Sequence, residues 1–189
     1  MRLSATVFLL ACTLPSLALA DAKAELARAF DKLLDAPSFR ASMSDAGSGE
    51  KYVDMEFQAP DRYRIVNAQG GPTMIVSGGQ AQMDVGGRMM TVPVPVPVNA
   101  IVNAYRNEDA MRKQRESMVV EALPDATLDG QAAKVYRFTT QHPKPVTSTA
   151  WVGDGDTLLQ MEVDGGAAGR GKVVRVRYRD IGSADIRIP

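Results

Sequence analysis

The stretch EKYVDMEFQAPDRYRIV, residues 50–66, alternates between two kinds of side chain. Val53, Met55 and Phe57 fall on one side and Tyr52, Asp54 and Glu56 on the other, and the pattern resumes with Tyr63 and Ile65 against Arg62 and Arg64. Successive side chains of a strand point to opposite faces, so a period of two reads as strands with one apolar face. Pro60 and Asp61 favour a bend between them, which makes the stretch a hairpin.

Working outward, TMIVSG, QAQMDVG and RMMTVPV continue the pattern. They are separated by Gly78-Gly79 and Gly86-Gly87, pairs that supply the positive φ of tight hairpins. Upstream, DAKAELARAFDKLLDAP places Ala22, Leu26, Ala29, Phe30 and Leu33 at helical spacing, with Pro37 as the stop. Downstream, Pro93, Pro95 and Pro97 alternate with valines. Prolines at every second position remove the N–H donors from one edge of an extended segment, so residues 92–98 are expected at a sheet margin or cavity mouth. A helical period follows in residues 99–118, with Asn99 as N-cap and Ile101, Val102 and Tyr105 on one side. ATLDGQAAKVYRFTTQ, TSTAWVGDGDTLLQMEVDG, KVVRVRYRDIG and ADIRIP then read as strands, with Asp129-Gly130 and Asp154-Gly155 as turns. The expected fold is α+β: a strongly curved antiparallel sheet of about 9–11 strands, its concave side covered by an N-terminal helix and a helical insertion.

The first twenty residues differ in kind. Arg2, the apolar run VFLLACTLPSLALA and the small residues of ALA before Asp21 read as a signal peptide, 1–20, leaving 21–189 as one exported domain. FLLAC also resembles a lipobox, with Cys12 as the lipidated residue, although the apolar run continues past it. Without residues 1–20 the chain carries 21 basic and 22 acidic side chains, a balance that gives no support to nucleic-acid binding.

Chemistry-bearing motifs are scarce. The single histidine, His142, stands in TQHPKPVTS, an expected loop without a catalytic partner motif, and no metal-ligand spacing or phosphate loop occurs. GDGD at 153–156 fits a turn better than a calcium loop. No enzymatic activity, cofactor or metal is expected. Arg175, Arg177 and Arg179 put three guanidinium groups on one strand face, either as a solvated surface or as a docking stripe. Ten methionines stand beside only 6% aromatic residues. Met55, Met74, Met83, Met90 and Met161 fall on or near the inward register, where methionine either fills a core or lines a wall for flexible acyl chains.

SFRASMS, YVDMEFQAPDRYRIV, MIVSGGQAQMDVGGRMMTVPV and the ending VRVRYRDIGSADIRIP together resemble the periplasmic outer-membrane lipoprotein carrier (LolA-like) superfamily. APDRYRI is similar to its proline-aromatic-arginine turn, and IVSGGQAQM to a family hairpin in which Met83 replaces an aromatic residue. The resemblance implies an apolar cavity between an incomplete barrel and lid helices, holding acyl chains of lipoproteins or other lipids for transfer toward the outer membrane. It implies a lining of Met55, Phe57, Tyr63, Ile65, Met74, Val76, Met83, Val85 and Met90, with Ile101, Val102 and Tyr105 from the lid and Arg40 and Arg64 at a polar rim. The implied partners are acyl chains or lipids and membrane proteins of lipoprotein transfer, with the carrier a monomer. A ligand-sensing or scaffold protein of the envelope with the same fold is the alternative.

Overall fold

The computed structural model describes residues 16–92, 113, 115–141, 145–164 and 172–189. Helix α1 (Ser16–Asp35) precedes six strands: β1 (Ser38–Asp45), β2 (Lys51–Gln58), β3 (Arg62–Asn67), β4 (Met74–Ser77), β5 (Gln80–Val85) and β6 (Arg88–Val92). Five more follow: β7 (Val119–Leu128), β8 (Gln131–Thr140), β9 (Val146–Gly153), β10 (Thr157–Val163) and β11 (Val174–Arg179). They form one eleven-stranded sheet in the order β6-β5-β4-β3-β2-β1-β11-β10-β9-β8-β7, with β6 and β7 at its two margins. Every recorded pairing is antiparallel, and the sheet is not closed. Two meanders, β2–β6 and β7–β10, are therefore joined through the β1–β11 pair.

Local chemistry accounts for most boundaries. Gly78 and Gly79 take φ of 56° and 74°, the left-handed values that a two-residue hairpin needs for its twist to match the strands. Asp129 and Gly130 do the same at 52° and 82° between β7 and β8. The GDGD stretch is the β9–β10 turn, and Asp156 in it pairs with Arg28 rather than with further acidic ligands.

Three features depart from the sequence-based expectation. Strand β1 alternates too, but with serines and a single alanine and methionine between Phe39 and Asp45, so its period is weak. Strand β7 begins at Val119, ahead of Pro124, and breaks register between Leu123 and Ala126. A proline is tolerated there because β7 is a margin strand and an irregular one. ADIRIP is not a strand. Ile186 and Ile188 are buried, but the Ile188 N–H donates to Gln58 Oε1 at 2.8 Å and Arg62 Nη1 donates to the Ile188 carbonyl at 2.9 Å. Side chains thus take up backbone groups that a neighbouring strand would otherwise pair. Pro93, Pro95, Pro97, Asn99 and His142 lie outside the described residues, as does most of the expected insertion; residues 113 and 115–117 at its end are helical.

Helix α1 buries Ala22, Leu26, Ala29 and Leu33 against Met118, Val120, Tyr136, Phe138, Ala150, Val152, Leu158 and Met161. Phe30 meets Phe138 edge to face, with ring centroids 5.6 Å apart. Polar ties hold the helix along its length. Glu25 accepts from Lys134 Nζ at 2.8 Å and from the Tyr136 hydroxyl, Arg28 Nε meets Asp156 at 2.8 Å, and Lys32 Nζ donates to the Gly155 carbonyl at 2.8 Å. Asp31 pairs with Arg115. The β7–β10 half of the sheet is thereby covered by α1.

Candidate functional site

Cross-strand register sorts the other half into rows. The first runs Phe39, Phe57, Tyr63, Val76, Ala81 and Val92 from β1 to β6. The second, two residues along each strand and so on the same face, runs Ala41, Met55, Ile65, Met74, Met83 and Met90. A third begins with Met43, Val53 and Asn67.

The rows differ in cover. Phe57, Tyr63, Val76 and Ala81 are buried in a compact cluster, with Phe57 only 1% exposed and its ring centroid 4.9 Å from that of Phe39 and 5.1 Å from that of Tyr63. In the second row Met55, Ile65, Met74 and Met83 are half-buried and Met90 is 52% exposed; Val85, one step further along β5, is 51% exposed. The row spans about 19 Å from β2 to β6 at ordinary strand spacing. It is an apolar strip packed beside the aromatic row and partly exposed among the described residues.

The structure thus brings together on one face Met55, Phe57, Tyr63, Ile65, Met74, Val76, Met83, Val85 and Met90. Met161 lies instead in the core under α1. Ile101, Val102 and Tyr105 lie outside the described residues. Arg40 and Arg64 stand on the opposite face, because each alternates with a row residue. There Glu56 bridges them, accepting from Arg40 Nε at 3.0 Å and from Arg64 Nη1 at 2.8 Å. Hydrogen bonds to Asp180 and Glu56 raise the already high pKa of Arg40. The alternation around Tyr63 and Ile65 was the signal that separates Arg64 from the apolar strip.

The arginine stripe of β11 shares that polar face. Arg175 pairs with Glu162 at 2.8 Å and Arg177 with Asp129 at 2.7 Å, as expected of a solvated, internally paired surface. Sequence reading missed a second feature on the strip's own face. A cavity of about 430 Å³ is lined by Glu50, Tyr52, Val53, Asn67, Gln69 and Lys172, at the end of the third row. Another, of about 350 Å³, lies between α1 and the β8–β10 region and includes Glu25, Lys134, Tyr136 and Asp156. Hydrogen bonds from Lys134 and Tyr136 lower the Glu25 pKa; burial first, then the Glu25 contact, raises that of the Tyr136 hydroxyl. Among the described residues no group of three or more His, Cys, Asp or Glu could hold a metal ion, and no helix is long and apolar enough to cross a membrane.

No protein-family model matches the chain, and no curated protein matches it in sequence. Solved structures do match in shape. The lipoprotein LppX of Mycobacterium tuberculosis superposes with a TM-score of 0.67 over 90% of this chain and 99% of its own, at 12% identity. LprF from Mycobacterium bovis gives 0.64 over 90% and 96%, at 15% identity. MucB gives 0.55 at 13% identity, over 89% of this chain and 61% of its own. At such identities the likeness is one of fold alone.

Proposed function

We propose that the protein is an exported carrier of the cell envelope that holds acyl chains of lipoproteins or lipids on the methionine strip of β2–β6, for transfer toward the outer membrane. The observation that carries this reading is the strip itself: five apolar side chains in register from Met55 to Met90, left uncovered by α1 while the matching face of β7–β10 is filled. The expected signal peptide, 1–20, and the lipoprotein named among the structures of similar fold support an envelope location.

Capture proceeds by burial, with no covalent step. Each methylene moved from water onto an apolar surface gains about 0.8 kcal/mol, so ten give about 8 kcal/mol before ordering costs. Methionine side chains bend to tails of differing length and saturation, which suits several cargoes.

The test is purification without detergent followed by mass spectrometry of extracted lipid, together with binding of a fluorescent acylated peptide. Wild-type protein is expected to carry lipid and bind the peptide. Met83→Lys is expected to weaken that binding at least tenfold, because a charge then lies against the tail, with circular dichroism unchanged. Protein that carries no lipid and binds no acylated peptide sinks the carrier reading. The alternative, a ligand-sensing or scaffold protein, draws on the likeness to MucB, a protein also solved in complex with MucA. It gains if acyl binding alters capture of an envelope protein but moves no lipid between vesicles.

A further inference from the structure

The 430 Å³ cavity at the end of the strip is built from parts pinned to one another. Asp45, only 5% exposed, accepts N–H groups from Ser48 at 2.7 Å and Gly47 at 2.9 Å and the Tyr52 hydroxyl at 3.2 Å. Its own N–H donates to the Glu50 carbonyl at 2.8 Å, which fixes the β1–β2 turn. The Ala46 N–H donates to the Val173 carbonyl, and the Ala68 N–H to the Tyr52 carbonyl, each at 2.9 Å, so the start of β11 and the end of β3 are tied to the same turn. The pairing of β1 with β2 skips Tyr52, passing from Val53 to Lys51. Such a bulge re-aims a side chain, and here Tyr52 and Val53 line one cavity.

Position gives the cavity its meaning. Val53 and Asn67 belong to the third row, next to Met55 and Ile65 in the second, so the polar cavity continues the apolar strip on the same face. The polar groups carry both signs. Glu50 accepts from Gln69 Nε2 at 2.5 Å and keeps lone pairs for a second donor. Lys172 stands 3.6 Å from Asp45 with its side chain 59% exposed. Two carboxylates near one ammonium disfavour a purely anionic guest, whereas a guest carrying an ammonium and a phosphate finds a partner for each.

We propose that this cavity receives the zwitterionic headgroup of an amphipathic lipid, its ammonium toward Glu50 and its phosphate toward Lys172, while the tail lies on the strip. The inference rests on the acyl-binding reading above and adds the class of head. It is tested by titrating the full protein with three single-chain probes of equal length: a phosphoethanolamine lipid, a phosphoglycerol lipid and the plain fatty acid. The phosphoethanolamine lipid is expected to bind at least tenfold more tightly than the other two. Glu50→Gln and Lys172→Met should each abolish the preference for the phosphoethanolamine lipid over the fatty acid, and Lys172→Arg should keep it. Equal binding of all three probes, a preference for phosphoglycerol, or indifference to both variants overturns the headgroup site while leaving tail binding intact. Binding of none overturns the acyl-binding reading and the headgroup site with it.

Discussion

The two halves of the sheet are written in the same alternating code and end in different states. On β7–β10 the apolar face meets α1, and Leu26, Ala29, Ala150 and Leu158 fall to 1% exposure or less. On β2–β6 only the row beside the centre closes, through Phe57 and Tyr63, and the next stays half-open out to Met90. Burial here is decided by what lies above the sheet, not by the strands. Phe57 and Tyr63 close the first row and Met118 and Met161 are buried under α1, while Met55, Met74, Met83 and Met90 stand in the row that is partly exposed among the described residues.

Mutations can break that contrast. Leu26→Ala, in the closed half, is expected to cost about 2–5 kcal/mol in chemical denaturation, since a cavity opens where neighbours cannot follow. Met74→Ala, in the open half, should cost markedly less, because its side chain is only half-buried, and should show itself instead in weaker acyl binding. Equal losses at the two sites would erase the distinction between core and strip. A smaller effect comes from the ties of α1. Tyr136→Phe removes the donor to Glu25 and is expected to cost about 1 kcal/mol with tail binding unaffected; a loss of binding would mean that α1 takes part in loading.

The mildest perturbation is acid. N–H groups of Ser48 and Gly47 hold the Asp45 carboxyl at a pKa of about 2, against about 3.9 in an unfolded chain. The unfolded state binds the proton more readily, so this contribution to stability is complete above about pH 5 and declines as pH falls from about 4 toward 2. Asp45→Asn should flatten that part of the pH–stability curve; an unchanged slope would show that the turn is held by other contacts.

Much of the strand content was readable because the backbone fixes its period. Residues 50–66, the Gly78-Gly79 turn and the α1 stripe each carried their own signal. The row from Met55 to Met90 could be placed on one face because register follows from tight hairpins. Strand β1 was faint, since serine at Ser38, Ser42 and Ser44 offers little contrast with alanine. The opening of β7 hid behind Pro124, whose cost vanishes only once its strand is known to be marginal. Arg40 and Arg64 were drawn to the strip by resemblance although the alternation around them pointed away. The Asp45 turn and the cavity beside it are assembled from distant segments, so no local period marks them.

The β1–β11 seam has a consequence for how the chain acquires its shape. Each meander is made of near neighbours, whereas Arg40 opposite Arg179 joins the first strand to the last. Contacts so far apart close late, because the entropy of bringing the ends together comes before any reward. Until β11 arrives, β1 is a margin with a row of unmet N–H and C=O groups, open to pairing with another chain. A polypeptide delivered from its N-terminus therefore passes through a stage in which the strip's floor can exist but the sheet that carries it is two pieces, and slowing that last join, with Met43→Pro for example, should appear first as aggregation rather than as loss of cargo.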